Sequence, residues 1–169
     1  MTRSRIKPKR RQQPQVVRTY THLHELMASP TEPMPKAYRV AQLTRMWSGL
    51  SAIETSPKPT ARDWRVVSDA VNLLETFIEM GVAEDTTGLL HDATRAMAIA
   101  GARHLESGAP IRLDGAGMQA VRAVLESYAE ILDQIPHRTA VAAHRRTEKR
   151  IQGIHTGKRR PHDVEVLAI

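Results

Sequence analysis

The segment that follows Thr60 constrains the fold more than any other part of this chain. Its apolar residues form two adjacent stripes at three- and four-residue spacing, namely Trp64, Val67, Val71, Leu74 and Ile78, and beside them Val66, Ala70, Leu73 and Phe77. Two neighbouring stripes predict a helix with a wide buried face, so this helix should be central. Thr60 is placed to cap it, and Gly81 is placed to end it.

Four further segments have the same helical periodicity and end at proline or glycine. They cover about residues 36–53, 86–106, 114–135 and 139–156, and a short helix is expected over 20–28. The chain has only six aromatic residues, so its core must be built from aliphatic side chains, which favours helix packing. The sequence therefore predicts an all-α fold, a compact bundle of about five helices.

Two short runs have strand character, and they qualify the all-helical prediction. Residues 111–113 and 164–167 are both apolar enough to form a minimal two-stranded β pairing. Residues 1–19 are polar and interrupted by proline, so they are expected to form a basic arm that is disordered without a partner. Residues 20–169 are expected to form a single helical domain.

Positive charge is concentrated at the two ends of the chain. Residues 1–18 contain seven basic residues and no acidic residue, and residues 138–160 contain eight basic residues and one acidic residue. The 119 residues between them hold ten basic and fifteen acidic residues, a net charge of −5. A mildly acidic body with two basic ends is typical of a protein that binds a polyanion.

The last helix offers a specific contact surface. Arg145 and Lys149 lie four residues apart, as do Arg146 and Arg150, so two cationic rows should run side by side along one face. We predict that nucleic-acid phosphates are bound by this helix and the arm, through Arg3, Arg5, Lys7, Lys9, Arg10, Arg11, Arg138, Arg145, Arg146, Lys149, Arg150, Lys158, Arg159 and Arg160. A solvated surface helix and a disordered solubility tail are the simpler interpretations of the same residues.

One stretch at the end of this helix resembles a known DNA-binding element. Residues 150–161, RIQGIHTGKRRP, resemble the end of the recognition helix in Cro-like repressors. The preceding helix of that motif is missing, because residues 140–148 are predicted to form one continuous helix. A repressor fold is therefore not predicted.

Catalytic and metal sites find little support in the sequence. His22 and His24 lie two residues apart and do not share a helical face, and His144 and His155 lie more than about 10 Å apart on a helix. The absence of cysteine excludes a thiolate site and a disulfide. No carboxylate pair or nucleophile motif is evident. We therefore predict no metal, no cofactor and no enzymatic activity.

The chain has no apolar run of membrane-spanning length and no secretory signal pattern. A cytoplasmic location without a membrane partner is the expectation. The heptad-like stripe of the segment 114–135 suits either an internal core or the seam of a homodimer, so the sequence leaves the oligomeric state open.

Three segments resemble small uncharacterised proteins of bacterial prophages and plasmids. They are residues 61–81 (ARDWRVVSDAVNLLETFIEMG), 111–125 (IRLDGAGMQAVRAVL) and 144–166 (HRRTEKRIQGIHTGKRRPHDVEV). The resemblance implies a mobile-element setting, such as regulation, replication or recombination accessory work, or interference with host defence. The resemblance does not assign a function to any residue of this chain.

Two functions from different classes follow from these features. The first is a non-enzymatic nucleic-acid-associated accessory or regulatory protein. The alternative is a protein-interaction module, such as an inhibitor of a host defence complex or an adaptor that docks on a larger assembly through an apolar patch containing Trp47. An enzyme would instead show a pocket with converging polar groups and shifted pKa values.

Overall fold

A computed structural model describes residues 19–156, which form six helices. The helices are α1 (His22–Met27), α2 (Lys36–Thr55), α3 (Ala61–Glu79), α4 (Leu89–Ser107), α5 (Gly115–Gln134) and α6 (His137–His155). The all-helical prediction is confirmed, and the predicted ends of the helices differ from the observed ends by three residues or fewer.

The predicted β pairing has no counterpart in the part of the chain that is described. Residues 111–113 connect α4 to α5 without forming a strand, and residues 164–167 lie outside the described range. Within that range, the single β-type contact is an isolated antiparallel bridge between Pro33 and Pro136. The apolar side chain of Ile111 is instead buried in the helical core.

Helix α3 is the centre of the bundle, as its double stripe predicts. It contacts α2, α4, α5 and α6, and Trp64, Val67 and Phe77 are fully enclosed. Thr60 and Asp63 form a reciprocal capping box, in which the Asp63 carboxylate accepts a hydrogen bond of 2.8 Å from the Thr60 amide. This box satisfies backbone amides that the first turn leaves without helical partners.

Helices α2 and α3 approach each other closely at Gly49. A Cβ atom at this position would overlap the Val66 side chain and would lie 2.9 Å from the Asp63 carbonyl oxygen. Only glycine allows this contact, because the carbonyl belongs to the α3 backbone and cannot turn aside. Gly49 is therefore the position that sets the spacing between α2 and α3.

The segment before α2 lies along α6 and is held there by backbone hydrogen bonds. The His137 amide donates to the Glu32 carbonyl (2.8 Å), and the Arg138 amide donates to the Ser29 carbonyl (2.9 Å). At the start of the described chain, the Thr19 amide donates to the Glu148 carboxylate at 2.6 Å. The N-terminal arm therefore joins the body beside α6.

Replacing Gly49 with alanine should destabilise the fold by about 1–3 kcal/mol, because the added methyl group forces α2 and α3 apart. Urea denaturation of the full-length protein measures this as a lower midpoint. Gly115→Ala is the matched control, since a Cβ there meets nothing within 4 Å. Equal midpoints for the two variants would show that the close approach does not matter.

Candidate functional site

Arg150 faces the interior of the bundle and does not belong to an exposed cationic stripe. Its side chain is 3% exposed, and its guanidinium lies 2.7 Å from the Glu75 carboxylate and 3.0 Å from the Glu79 carboxylate. It also donates to the Asn72 carbonyl at 3.2 Å. Two α3 carboxylates and the helix packing enclose the Arg150 guanidinium, so this geometry argues against a phosphate contact there, and the contact itself stays a prediction.

Arg145 and Arg138 hold α1 against α6. The Arg145 guanidinium forms an ion pair with the Glu25 carboxylate, and the Arg138 guanidinium donates to the carbonyls of Leu26 and Ala28, each at 3.2 Å. Both side chains thus have internal partners.

Lys149 and Arg146 are the α6 cations that project furthest into solvent. Lys149 is exposed, and the Arg146 side chain is 56% exposed with its Nε 3.5 Å from a Glu79 oxygen. Such an exposed pair contributes little stability and leaves the guanidinium accessible to a ligand. The cationic surface of α6 is therefore narrower than the sequence pattern indicates.

Charge is nearly balanced within the described body. Residues 19–156 contain fifteen basic and sixteen acidic residues, a net charge of −1, whereas the whole chain has a net charge of +7. The remaining predicted contacts lie outside the described residues: Arg3, Arg5, Lys7, Lys9, Arg10, Arg11, Lys158, Arg159 and Arg160.

The histidines of the described range do not assemble a metal site. No group of three histidine, aspartate or glutamate side chains there is close enough to hold an ion. His24 accepts a hydrogen bond from the Thr21 amide at 3.1 Å and so caps α1.

A cleft of about 710 Å³ lies between α2, α3 and α6, and all three tyrosines of the chain line it. Tyr20 comes from the segment before α1, Tyr38 from α2 and Tyr128 from α5. We call it the tyrosine cleft. Tyr38 is 66% exposed, Tyr20 is half-buried and Tyr128 is buried.

A hydrogen-bonded group forms the floor of the tyrosine cleft. The Gln42 amide nitrogen lies 2.5 Å from the Tyr128 hydroxyl and 3.3 Å from His144 Nε2. The Tyr20 ring covers His144, with 5.1 Å between the ring centroids. Burial lowers the pKa of His144 to about 4 and raises the pKa of Tyr128. Both side chains are therefore neutral at pH 7.

The walls of the tyrosine cleft carry charges of both signs. Asp69 on α3 is open to solvent, but the surrounding protein desolvates its carboxyl and raises the pKa to about 6. Arg65 acts in the opposite direction on this pKa, and Glu148 adds to the increase. Asp69 and Arg45 make no hydrogen bond or ion pair of their own within residues 19–156. Both line the cleft, where Arg65 is a charge that already acts on Asp69.

The tyrosine cleft was not predicted, because its parts are distant in the sequence. The one local signal is the four-residue spacing of Tyr38 with Gln42 and of Arg65 with Asp69, which places each pair on one helical face. A concave surface with converging polar groups and shifted pKa values is a general mark of a ligand site.

Comparison with known proteins finds no relative. No family model matches the chain, and no curated protein or solved structure is significantly similar to it. None of the helices between residues 19 and 156 has both the length and the apolar character of a membrane span.

Arg150→Ala should lower the free energy of unfolding by about 1–3 kcal/mol, because the variant empties a buried position and removes the charge that compensates the partly exposed Glu75 and Glu79. Lys149→Ala, one residue away and exposed, should change it by less than about 0.5 kcal/mol. Thermal and urea denaturation of the two variants measure the difference. A small effect at Arg150 would contradict its structural role.

Acidification should reveal the neutral state of His144. The folded protein binds a proton at His144 only near pH 4, whereas the unfolded chain binds it near the ordinary value of 6.5, so stability is lost as the pH falls through this window. Between pH 7.5 and pH 5 this loss amounts to about 2 kcal/mol.

The measurement is urea denaturation of His144→Gln at both pH values. This variant should lose about 2 kcal/mol less than the wild type on acidification, because its side chain does not titrate. His91→Gln, on the exposed side of α4, is the control. A wild-type pH response in His144→Gln would show that His144 is not held neutral by the fold.

Proposed function

We propose that this protein is a non-enzymatic, nucleic-acid-associated accessory protein whose phosphate contacts are made mainly by its basic ends. The observation that carries the proposal is the division of charge between the body and the ends. The described body has a net charge of −1, while residues 1–18 carry seven basic residues and no acidic residue. Such a segment attracts phosphates without regard to base sequence.

The pairing of the α6 cations supports this division. Arg138, Arg145 and Arg150 are engaged with backbone carbonyls or carboxylates of the same molecule, and binding a phosphate would cost those contacts. The cations of the arm have no acidic residue near them in sequence, and a dense basic segment of this kind attracts phosphates.

The arm joins the body at a position that favours cooperation with the exposed α6 cations. Thr19 is bonded to Glu148, which directly precedes Lys149. A nucleic acid bound next to Thr19 would therefore lie close to α6. The cytoplasmic location and the mobile-element setting stay predictions.

A protein-interaction module is the second candidate, and exposed apolar side chains favour it. Leu23, Leu26 and Met27 on α1 are 58–77% exposed. A shallow groove along the outer face of α2 is lined by Val40, Leu43 and Trp47. An interface built on these residues would depend on apolar contacts and little on salt.

The proposal is tested by fluorescence anisotropy of labelled duplex DNA, single-stranded DNA and RNA with the full-length protein over a range of salt concentrations. The logarithm of the duplex-binding constant should fall linearly with the logarithm of salt, with a slope of about −0.9 per phosphate contacted. Replacing the six cations Arg3, Arg5, Lys7, Lys9, Arg10 and Arg11 with glutamine should make the slope distinctly shallower.

A double variant, Arg146→Gln with Lys149→Gln, is the matched control on α6. It removes two exposed cations and should change the slope by at most about two units. No binding to any of the three polymers near physiological salt would overturn the proposal and favour the protein-interaction module.

A further inference from the structure

The tyrosine cleft brings several aromatic rings together at one place on the described body. The chain has three tyrosines, and all three line this one cleft although they come from three different segments. Tyr38 presents most of its ring to solvent at 66% exposure. An exposed tyrosine beside a cleft is a stacking surface for a planar ring, and every nucleobase has such a face.

Arg45 and Asp69 add one cation and one anion to the same cleft. Arg45 lies on α2 with Tyr38, seven residues further along the helix, and Asp69 lies on α3. Neither forms an ion pair with another residue in the range 19–156, in contrast to Arg145 and Arg150. The cleft can therefore accept a ligand that carries both a negative group and an edge of N–H donors.

The size and position of the tyrosine cleft narrow the class of ligand. Its volume of about 710 Å³ lies within the range of sites that hold small organic molecules. Thr19, the last residue of the basic arm, and Tyr20 both line the cleft, so the arm joins the body at the edge of the cleft. A strand with a phosphate near Thr19 would place its neighbouring bases beside this edge.

We propose that the tyrosine cleft binds one unpaired nucleobase together with its phosphate, from single-stranded nucleic acid or from a free nucleotide. Tyr38 stacks on the base, Arg45 binds the phosphate and Asp69 accepts hydrogen bonds from the base edge. This inference rests on the proposed function and adds to it a site in the folded body.

The carboxylate makes the site selective for guanine. Guanine presents two adjacent donors, N1–H and the N2 amino group, which match the two oxygens of a carboxylate. Adenine, cytosine and thymine each offer a single donor position next to an acceptor, and an acceptor facing a carboxylate is repelled. Ionised Asp69 should therefore prefer guanine.

The test uses the full-length protein and short labelled single strands that carry one guanine in a thymine background. Tyr38→Ala should weaken strand binding at least about fivefold, whereas Tyr38→Phe should retain it because the phenyl ring still stacks. Asp69→Asn should reduce the preference for guanine over the all-thymine strand. Arg95→Ala on the exposed side of α4 is the charge-matched control for Arg45→Ala.

Binding to duplex DNA tests the proposed function independently of the cleft proposal. The cleft variants should bind duplex as the wild type does, since paired bases cannot enter the cleft and the arm is unchanged. Strand binding that is steeply salt-dependent but insensitive to Tyr38→Ala and Arg45→Ala would overturn the cleft proposal and leave the proposed function standing. Absence of binding to every polymer would overturn both.

Guanosine monophosphate distinguishes the two sources of the base. Competition by this nucleotide at concentrations comparable to the strand, with loss of competition in Tyr38→Ala, would identify a nucleotide site. Competition only at concentrations far above that of the strand would identify a site for a base within a strand. Equal strand affinity for all four bases in the wild type would overturn the role of Asp69.

Discussion

The ion pairs of Arg150 with Glu75 and Glu79 determine how α6 is rotated against the bundle. A guanidinium that is 3% exposed must be compensated, and the two carboxylates that compensate it lie one helical turn apart on α3. Thr147 lies on the same face of α6, and its hydroxyl lies 2.6 Å from the Thr76 hydroxyl. Because Arg150 and Thr147 hold one face of α6 against α3, the directions in which the other faces of α6 point are also fixed.

Both candidate surfaces follow from that rotation. Turning Arg150 toward α3 leaves Arg146 and Lys149 in solvent, and it places His144 and Glu148 along the tyrosine cleft. Loss of the ion pairs would weaken the packing of α6 on α3, and α6 supplies one wall of the cleft. Arg150 therefore positions one wall of the tyrosine cleft, although Arg150 does not line the cleft itself.

The helices were predictable because their signals are local. Capping residues such as Thr60 and Asp63, and apolar spacing along α3, act within a few residues of each other. The basic stripe was only partly predictable, because the sequence of α6 does not reveal that Glu75 and Glu79 neutralise Arg150. The tyrosine cleft was not predictable, since it forms only where segments far apart in the sequence pack together.

The basic arm and the tyrosine cleft have different roles in this account: the arm attracts the nucleic acid, and the cleft recognises a base. In the function that we propose, the arm supplies charge without base preference, and the tyrosine cleft adds stacking and hydrogen bonding to one base. The most direct test is a ¹⁵N NMR titration of the full-length protein with a guanine-containing single strand. Our account predicts shifts of the amides of Tyr38, Arg45 and Asp69 together with those of residues 1–18. Shifts confined to Arg146 and Lys149, with Tyr38 and Asp69 unchanged, would contradict it.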